Sequence, residues 1–258
     1  MFEAPRLKVK RANKHIFDLK DSINAFIKTD FYSFGIESEV DTGDSVLQFK
    51  MVASPPTDLP LILGDAIHNL RASLDLAYVE LAILAGKEPT QWTSLRVWEN
   101  RDKLVNSLEN GIFKGDSDII DMLADIVRAY KGGNAFLEAL DSIDQDDKHV
   151  LLTPVFTIAR LDNVDAEIIM GGGGNITMRD CSFGVGQGGV LNAIGMPSGE
   201  NKIKFHNKGQ PTLRVVFGDG TCLKGEAIIP ALTKFAQLVN QIIGIFETTI
   251  SGRQKTAD

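Results

Sequence analysis

Apolar positions along the chain recur at helical spacing, switch to strand spacing, and later repeat that change. Ala12, Ile16, Leu19, Ile23 and Phe26 fall three or four residues apart, one stripe of a first helix. Alternation follows in Phe34, Ile36 and Ser38 and again in Leu47, Phe49 and Met51. With the turn-forming Asp41-Thr42-Gly43-Asp44 between them, these runs predict a β-hairpin at about 31–53. Pro55-Pro56 should end it, because proline donates no ladder hydrogen bond. A second helix runs from Asp58-Leu59-Pro60 to Ala85-Gly86 on a stripe of Leu63, Leu70, Leu74, Ala77, Leu81 and Leu84. Leu76, Val79 and Ile83 lie off that stripe, so its second half reads as apolar all round and buried in a bundle.

Trp92 and Trp98 fall in a loop expected to lie over this core. A short helix should follow Asn100, and another spans 117–130 on Ile119, Leu123, Ile126 and Tyr130, closed by Gly132-Gly133. Asn134 caps a further helix expected to reach Ile143. From Val150 the texture is short β-like runs: 155–158, 167–170, 176–183, 203–206 and 213–217. Gly171 to Gly174, Pro197-Ser198-Gly199 and Gly218-Asp219-Gly220 separate them. Leu232, Phe235, Val239, Ile242 and Phe246 form a closing helix. The predicted class is α+β: a helical bundle with an inserted β-hairpin, then a small antiparallel sheet, then a C-terminal helix. The expected regions are 1–149 for the bundle with its hairpin, 150–226 for the sheet, and 227–251 for a helix docking back on the bundle.

Composition narrows the function classes. The 258 residues are 43% hydrophobic and 24% charged, enough for a sizeable core and too apolar for wholesale disorder. A net charge of -7 does not favour a broad grip on nucleic acid. The basic cluster Arg6, Lys8, Lys10, Arg11 and Lys14 on the first helix reads as a solvated face. The polar N-terminal run argues against an ordinary signal peptide, and no run approaches 18 apolar residues, so no membrane span is expected. Two cysteines, Cys181 and Cys222, are too few for a disulfide framework or a zinc cluster and suit a reducing cytoplasm.

Chemistry concentrates in two places. On the second helix, His68, Arg71 and Asp75 fall within about 60° of one another, with Gly64, Ala72 and Ala82 on the same side. An imidazole, a fixed cation and a carboxylate on a mostly apolar helix must satisfy one another. They read equally as a functional site or as a network fixing helix register. The second place is Asp144-Gln145-Asp146-Asp147-Lys148-His149, where the bland reading is a solvated loop ending a helix. Val150-Leu151-Leu152 follows at once, which would set His149 at the mouth of a buried element. Two histidines with carboxylates could ligate a metal, but no established metal-site spacing is present. The glycine runs 171–174 and 184–189 lack the strand–loop–helix setting of a phosphate or dinucleotide loop and read as turns or bulges. No cofactor is implied.

The string Leu63-Gly64-Asp65-Ala66-Ile67-His68-Asn69-Leu70-Arg71-Ala72-Ser73-Leu74-Asp75 resembles the hallmark of a widespread bacterial family of uncharacterised proteins. Its members show Gly-Asp-x-x-His-Asn-Leu-Arg-Ser-Ala-Leu-Asp-His and, later, Asp-Lys-His-Arg. Here the later segment is Asp147-Lys148-His149, with Val150 in place of the arginine. The resemblance covers about residues 5 to 155 and implies no established activity. More weakly, the helix resembles HEPN-type ribonucleases, in which arginine, four residues and histidine act on RNA without metal. This chain has Arg71 but Leu76 at the histidine position, so His68 or His149 would have to stand in.

Three functions follow as expectations. The first is a soluble binding or regulatory protein, a homo-oligomer or not, whose His68, Arg71 and Asp75 cluster is structural or holds a ligand. The second is a HEPN-like nucleic-acid-acting enzyme using Arg71 with His68 or His149. The third is a metal-dependent hydrolase using His68, Asp75, Asp147 and His149. Lys148 completes the candidate catalytic set.

Overall fold

The structure, a computed structural model, describes residues 1–38, 45–184, 190–196 and 202–257. In chain order the elements are α1 (Glu3–Ile27), β1 (Tyr32–Ser38), β2 (Ser45–Met51), α2 (Leu59–Leu84), α3 (Arg101–Glu109) and α4 (Ser117–Asp121). A π-helical turn over Met122–Val127 continues α4. Then come α5 (Ala135–Asp147), β3 (Pro154–Ile169), β4 (Asn175–Gly184), β5 (Val190–Met196), β6 (Lys202–Phe217) and α6 (Ile228–Ala257). Helices and antiparallel pairing in separate runs make the fold α+β, as the periodicity predicts. The hairpin turn 41–44 and the loops 185–189 and 197–199 named above lie outside the described residues.

The chain divides into two compact units. The first comprises 1–20, 58–154 and 217–258, and the second 21–57 and 155–216. The hairpin therefore groups with the later strands, whereas the sequence reading set it within the bundle. The reason is pairing: β2 carries β1 on one side and β5 on the other, giving the sheet order β1-β2-β5.

In the first unit α2 packs against both α5 and α6. The predicted stripe holds, since Leu63, Leu70, Leu74, Ala77 and Leu81 are fully buried. Leu76 and Ile83 reach solvent, however, so α2 is not enclosed all round. Its end is a Schellman turn: Gly86 at φ +73 donates to Ile83 O and Lys87 to Ala82 O, both at 2.9 Å. Glycine suits that left-handed position because it has no Cβ to clash. Asn134 caps α5 as predicted, accepting from Leu137 N–H at 3.1 Å. The helix over 117–130 departs from expectation. Its π turn spaces inward positions more widely, so Val127 is buried and Ile126 exposed. It ends at Arg128, in the left-handed region, before Gly132-Gly133 is reached.

Helix α6 buries Ile228, Leu232, Phe235, Val239, Ile242, Ile243, Phe246 and Ile250. By length and composition it is also apolar enough to cross a membrane, contrary to the expectation of no such segment, although polar residues interrupt its apolar ones. Its apolarity is a helical stripe, and α2 and α5 cover that stripe.

In the second unit β3 lies between β4 and β6. The runs 155–158 and 167–170 prove to be one strand, as do 203–206 and 213–217, and β5 has no counterpart in the prediction. Leu161, Val164, Ala166 and Phe183 form one core cluster; Phe26 and Phe31 form another, with Phe156 edge-on to Phe26 at 5.4 Å. Gly209, at φ +82, marks a close approach, because a Cβ there would lie 2.6 Å from Asp162 O.

Candidate functional site

The seam between α2 and α5 is built by two helical faces of matching period. On α2 the steps Gly64, His68, Arg71 and Asp75 follow one face. On α5, Asp141, Asp144 and Asp147 are three apart and share a face, with Lys148 just past the end. A Cβ on Gly64 would sit 2.5 Å from Asp147 Oδ2, so a larger residue there would require that carboxylate to shift. His68 Nδ1 lies 3.3 Å from Asp144 Oδ1, and Arg71 Nε donates to Asp141 Oδ1 at 2.9 Å. Partners descend along α5 as they ascend along α2, which is the register of an antiparallel helix pair.

Arg71 is buried, and each of its three nitrogens donates a hydrogen bond. Besides Asp141 it donates through Nη1 to Asp75 Oδ1 at 2.7 Å and through Nη2 to the Leu95 carbonyl. Asp75 Oδ1 in turn accepts Leu95 N–H at 3.1 Å. The guanidinium thereby clamps the loop after α2 onto both helices. Burial works against its charge, but the Asp75 and Asp141 carboxylates outweigh burial and raise its pKa further. Asp144, 2% exposed, accepts Lys148 Nζ at 2.6 Å on its second oxygen. Burial raises the Asp75 pKa above the ordinary carboxylate value despite Arg71 and Leu95 N–H. Burial also raises that of Asp147; the Leu152 N–H opposes this and the negative charge of Asp144 adds to it.

Beside this seam lies a polar cleft of about 370 Å³. Arg71, Asp75, Asp141, Asp144 and Lys148 line it from the helices, and Ser94 and Arg96 from the loop. Its walls carry both signs of charge.

Comparison with known protein families, curated proteins and solved structures gives no match. The site is therefore read from its own chemistry.

Of the residues named from sequence, His68, Arg71, Asp75, Asp147 and Lys148 meet on the one seam. His149 does not join them. It is exposed, its backbone N–H bonds Asp146 O at 3.0 Å, and its ring has no partner among the described residues. Val150 and Leu151 are exposed as well, so only Leu152 begins a buried element. Among the described residues no group of three or more His, Cys, Asp or Glu is placed to hold a metal ion. The set His68, Asp75, Asp147 and His149 is thus no metal centre.

Sequence reading missed Asp141 and Arg96 as site residues, and named Asp144 in the acidic run but left it out of the candidate catalytic set. The signal for the two aspartates was present in the repeat Asp141-x-x-Asp144-x-x-Asp147. It was hidden by ending the helix at Ile143, which made the acidic run a loop. Arg96 carried no such signal; only folding brings its loop to α2.

Proposed function

We propose that the chain is a binding or regulatory protein whose polar cleft takes a small, polar, anion-bearing ligand. The observation that carries this reading is the division of labour among its cations. Arg71 is spent on Asp75, Asp141 and the Leu95 carbonyl, and so acts as scaffold. Arg96 is exposed on the same cleft, and Lys148, also exposed there, gives one N–H to Asp144 and turns its remaining donors to the open side. A binding site needs this combination of fixed walls and a few convergent polar groups. The two free thiols, Cys181 and Cys222, suit a reducing cytoplasm.

Calorimetric titration with inorganic phosphate and with citrate tests the reading. The native chain should bind at least one of them, and Lys148→Ala should weaken binding by about tenfold, or ~1.4 kcal/mol. No binding, or equal binding by the variant, removes the reading.

The ribonuclease reading has less support, because catalysis would need Arg71 on a substrate phosphate, while each of its three nitrogens already donates to Asp141, Asp75 or the Leu95 carbonyl. RNA cleavage by the native chain, lost in both His68→Ala and Arg71→Lys, would put it first.

A further inference from the structure

Next to the polar cleft is a second one, of about 220 Å³, with a different lining. Three aromatic side chains bound it: Tyr78 from α2, and Trp92 and Trp98 from the loop between α2 and α3. Their mounting is firm. Tyr78 stands edge-on to Phe113 at 5.3 Å. Trp98 is held by its backbone, N–H to Ala129 O at 3.0 Å and C=O from Lys131 N–H at 2.8 Å. Trp92 rides on a turn in which Thr90 N–H donates to Thr93 Oγ1 at 2.9 Å and Trp92 N–H to Thr90 Oγ1 at 3.2 Å. Despite that support, Trp92 is 73% exposed, so a large ring faces water.

The charge facing this space is one-sided. Arg96 lines it, no carboxylate does among the described residues, and Arg96 has no ion pair among them. Hydroxyl groups, including those of Thr93 and Ser94, supply hydrogen bonds. Burial pushes the Tyr78 phenol up to about 12, so it adds no negative charge near neutrality.

We propose that this cleft binds a small planar aromatic molecule carrying an anionic group, its ring stacked on Trp92 and its anion held by Arg96. The volume suits roughly one ring system with a short substituent, below the usual range for drug-sized ligands. Exposed indole faces favour offset or edge-on stacking with such a ring. An unpaired guanidinium favours bidentate contact with a carboxylate or phosphate. This goes beyond the polar cleft, sharing with it Ser94 and Arg96 but none of its carboxylates nor Lys148.

The two tryptophans of the chain both line the cleft, so intrinsic fluorescence reads it directly. Phenylacetate and AMP serve as anionic probes; phenethylamine and adenosine carry like rings without the anion. Saturable quenching by an anionic probe, with a much weaker response to its uncharged or cationic counterpart, is the expected result. The tighter of the two anions identifies an aromatic acid or a nucleotide as the source. Arg96→Gln should weaken that binding by tenfold or more, and Arg96→Lys should restore part of it. Trp92→Ala should remove most of the signal and weaken binding measured by calorimetry. Lys148→Ala should leave it unchanged, so loss of the polar-cleft reading would not carry this one with it. The proposal is overturned if neither anion gives a saturable response, if phenethylamine binds as well as phenylacetate, or if Arg96→Gln binds normally.

Discussion

Helix α2 lies in two seams of opposite character. Toward α6 the contact is apolar, with Leu232, Phe235, Val239 and Phe246 fully buried. Toward α5 it is a polar ladder, Gly64 beside Asp147, His68 on Asp144 and Arg71 on Asp141. The apolar seam contributes most of the energy and tolerates imprecision, because burial is non-directional and scales with area. The charged seam contributes little net energy, since desolvation offsets attraction. What it sets is register: a shift of α5 by one residue would part every pair.

The strongest way to break the comparison is on the apolar side. Phe235→Ala should cost about 3–5 kcal/mol in denaturant unfolding, with no dependence on salt. A loss below about 1 kcal/mol would show that α6 contributes little. Next, Arg71→Met strands Asp75 and Asp141, which retain some water contact. It should cost about 2–3 kcal/mol, less than the ~3–5 of a fully buried pair, and part should return at low pH as the carboxylates protonate. Gly64→Ala should cost about 1 kcal/mol, although alanine normally stabilises a helix interior by a similar amount. Combining it with Asp147→Ala should remove the clash, and a double-mutant cycle reads the coupling. If the two changes add, the carboxylate does not sit on Gly64.

The smallest effect sharpens the electrostatics. Burial raises the Asp147 pKa in the folded chain. Ionising it therefore costs folded-state stability, in full above the folded pKa and not at all below the unfolded value of about 4. Asp147→Asn should be at least as stable as the native chain near pH 7, and that advantage should disappear as pH falls below about 4. A variant that is less stable at pH 7 and recovers on acidification would reverse the assignment.

The sequence made α2 legible because its stripe, its glycine stop and its His68, Arg71 and Asp75 face are all local. Asn134 was readable for the same reason, as a cap acts over three residues. The charged half contributed by α5 was not: Asp144 to Asp147 lacks an apolar stripe, and polar runs at helix ends look like loops. The long strands were broken by their own irregularities. Asn163 and Gly209 adopt positive φ, and the β3–β4 register shifts near Val164, which interrupts the two-residue alternation. The pairing of β2 with β5 joins segments well over a hundred residues apart, and no local pattern announces such a contact.

The helical unit is assembled from three separate stretches of chain, and this governs how it must be made. During synthesis α2 and α5 leave the ribosome while α6 is still roughly 80 residues away, a delay on the order of 4–16 s. For that interval the faces of α2 and α5 that α6 will cover have no native partner and stay open to water.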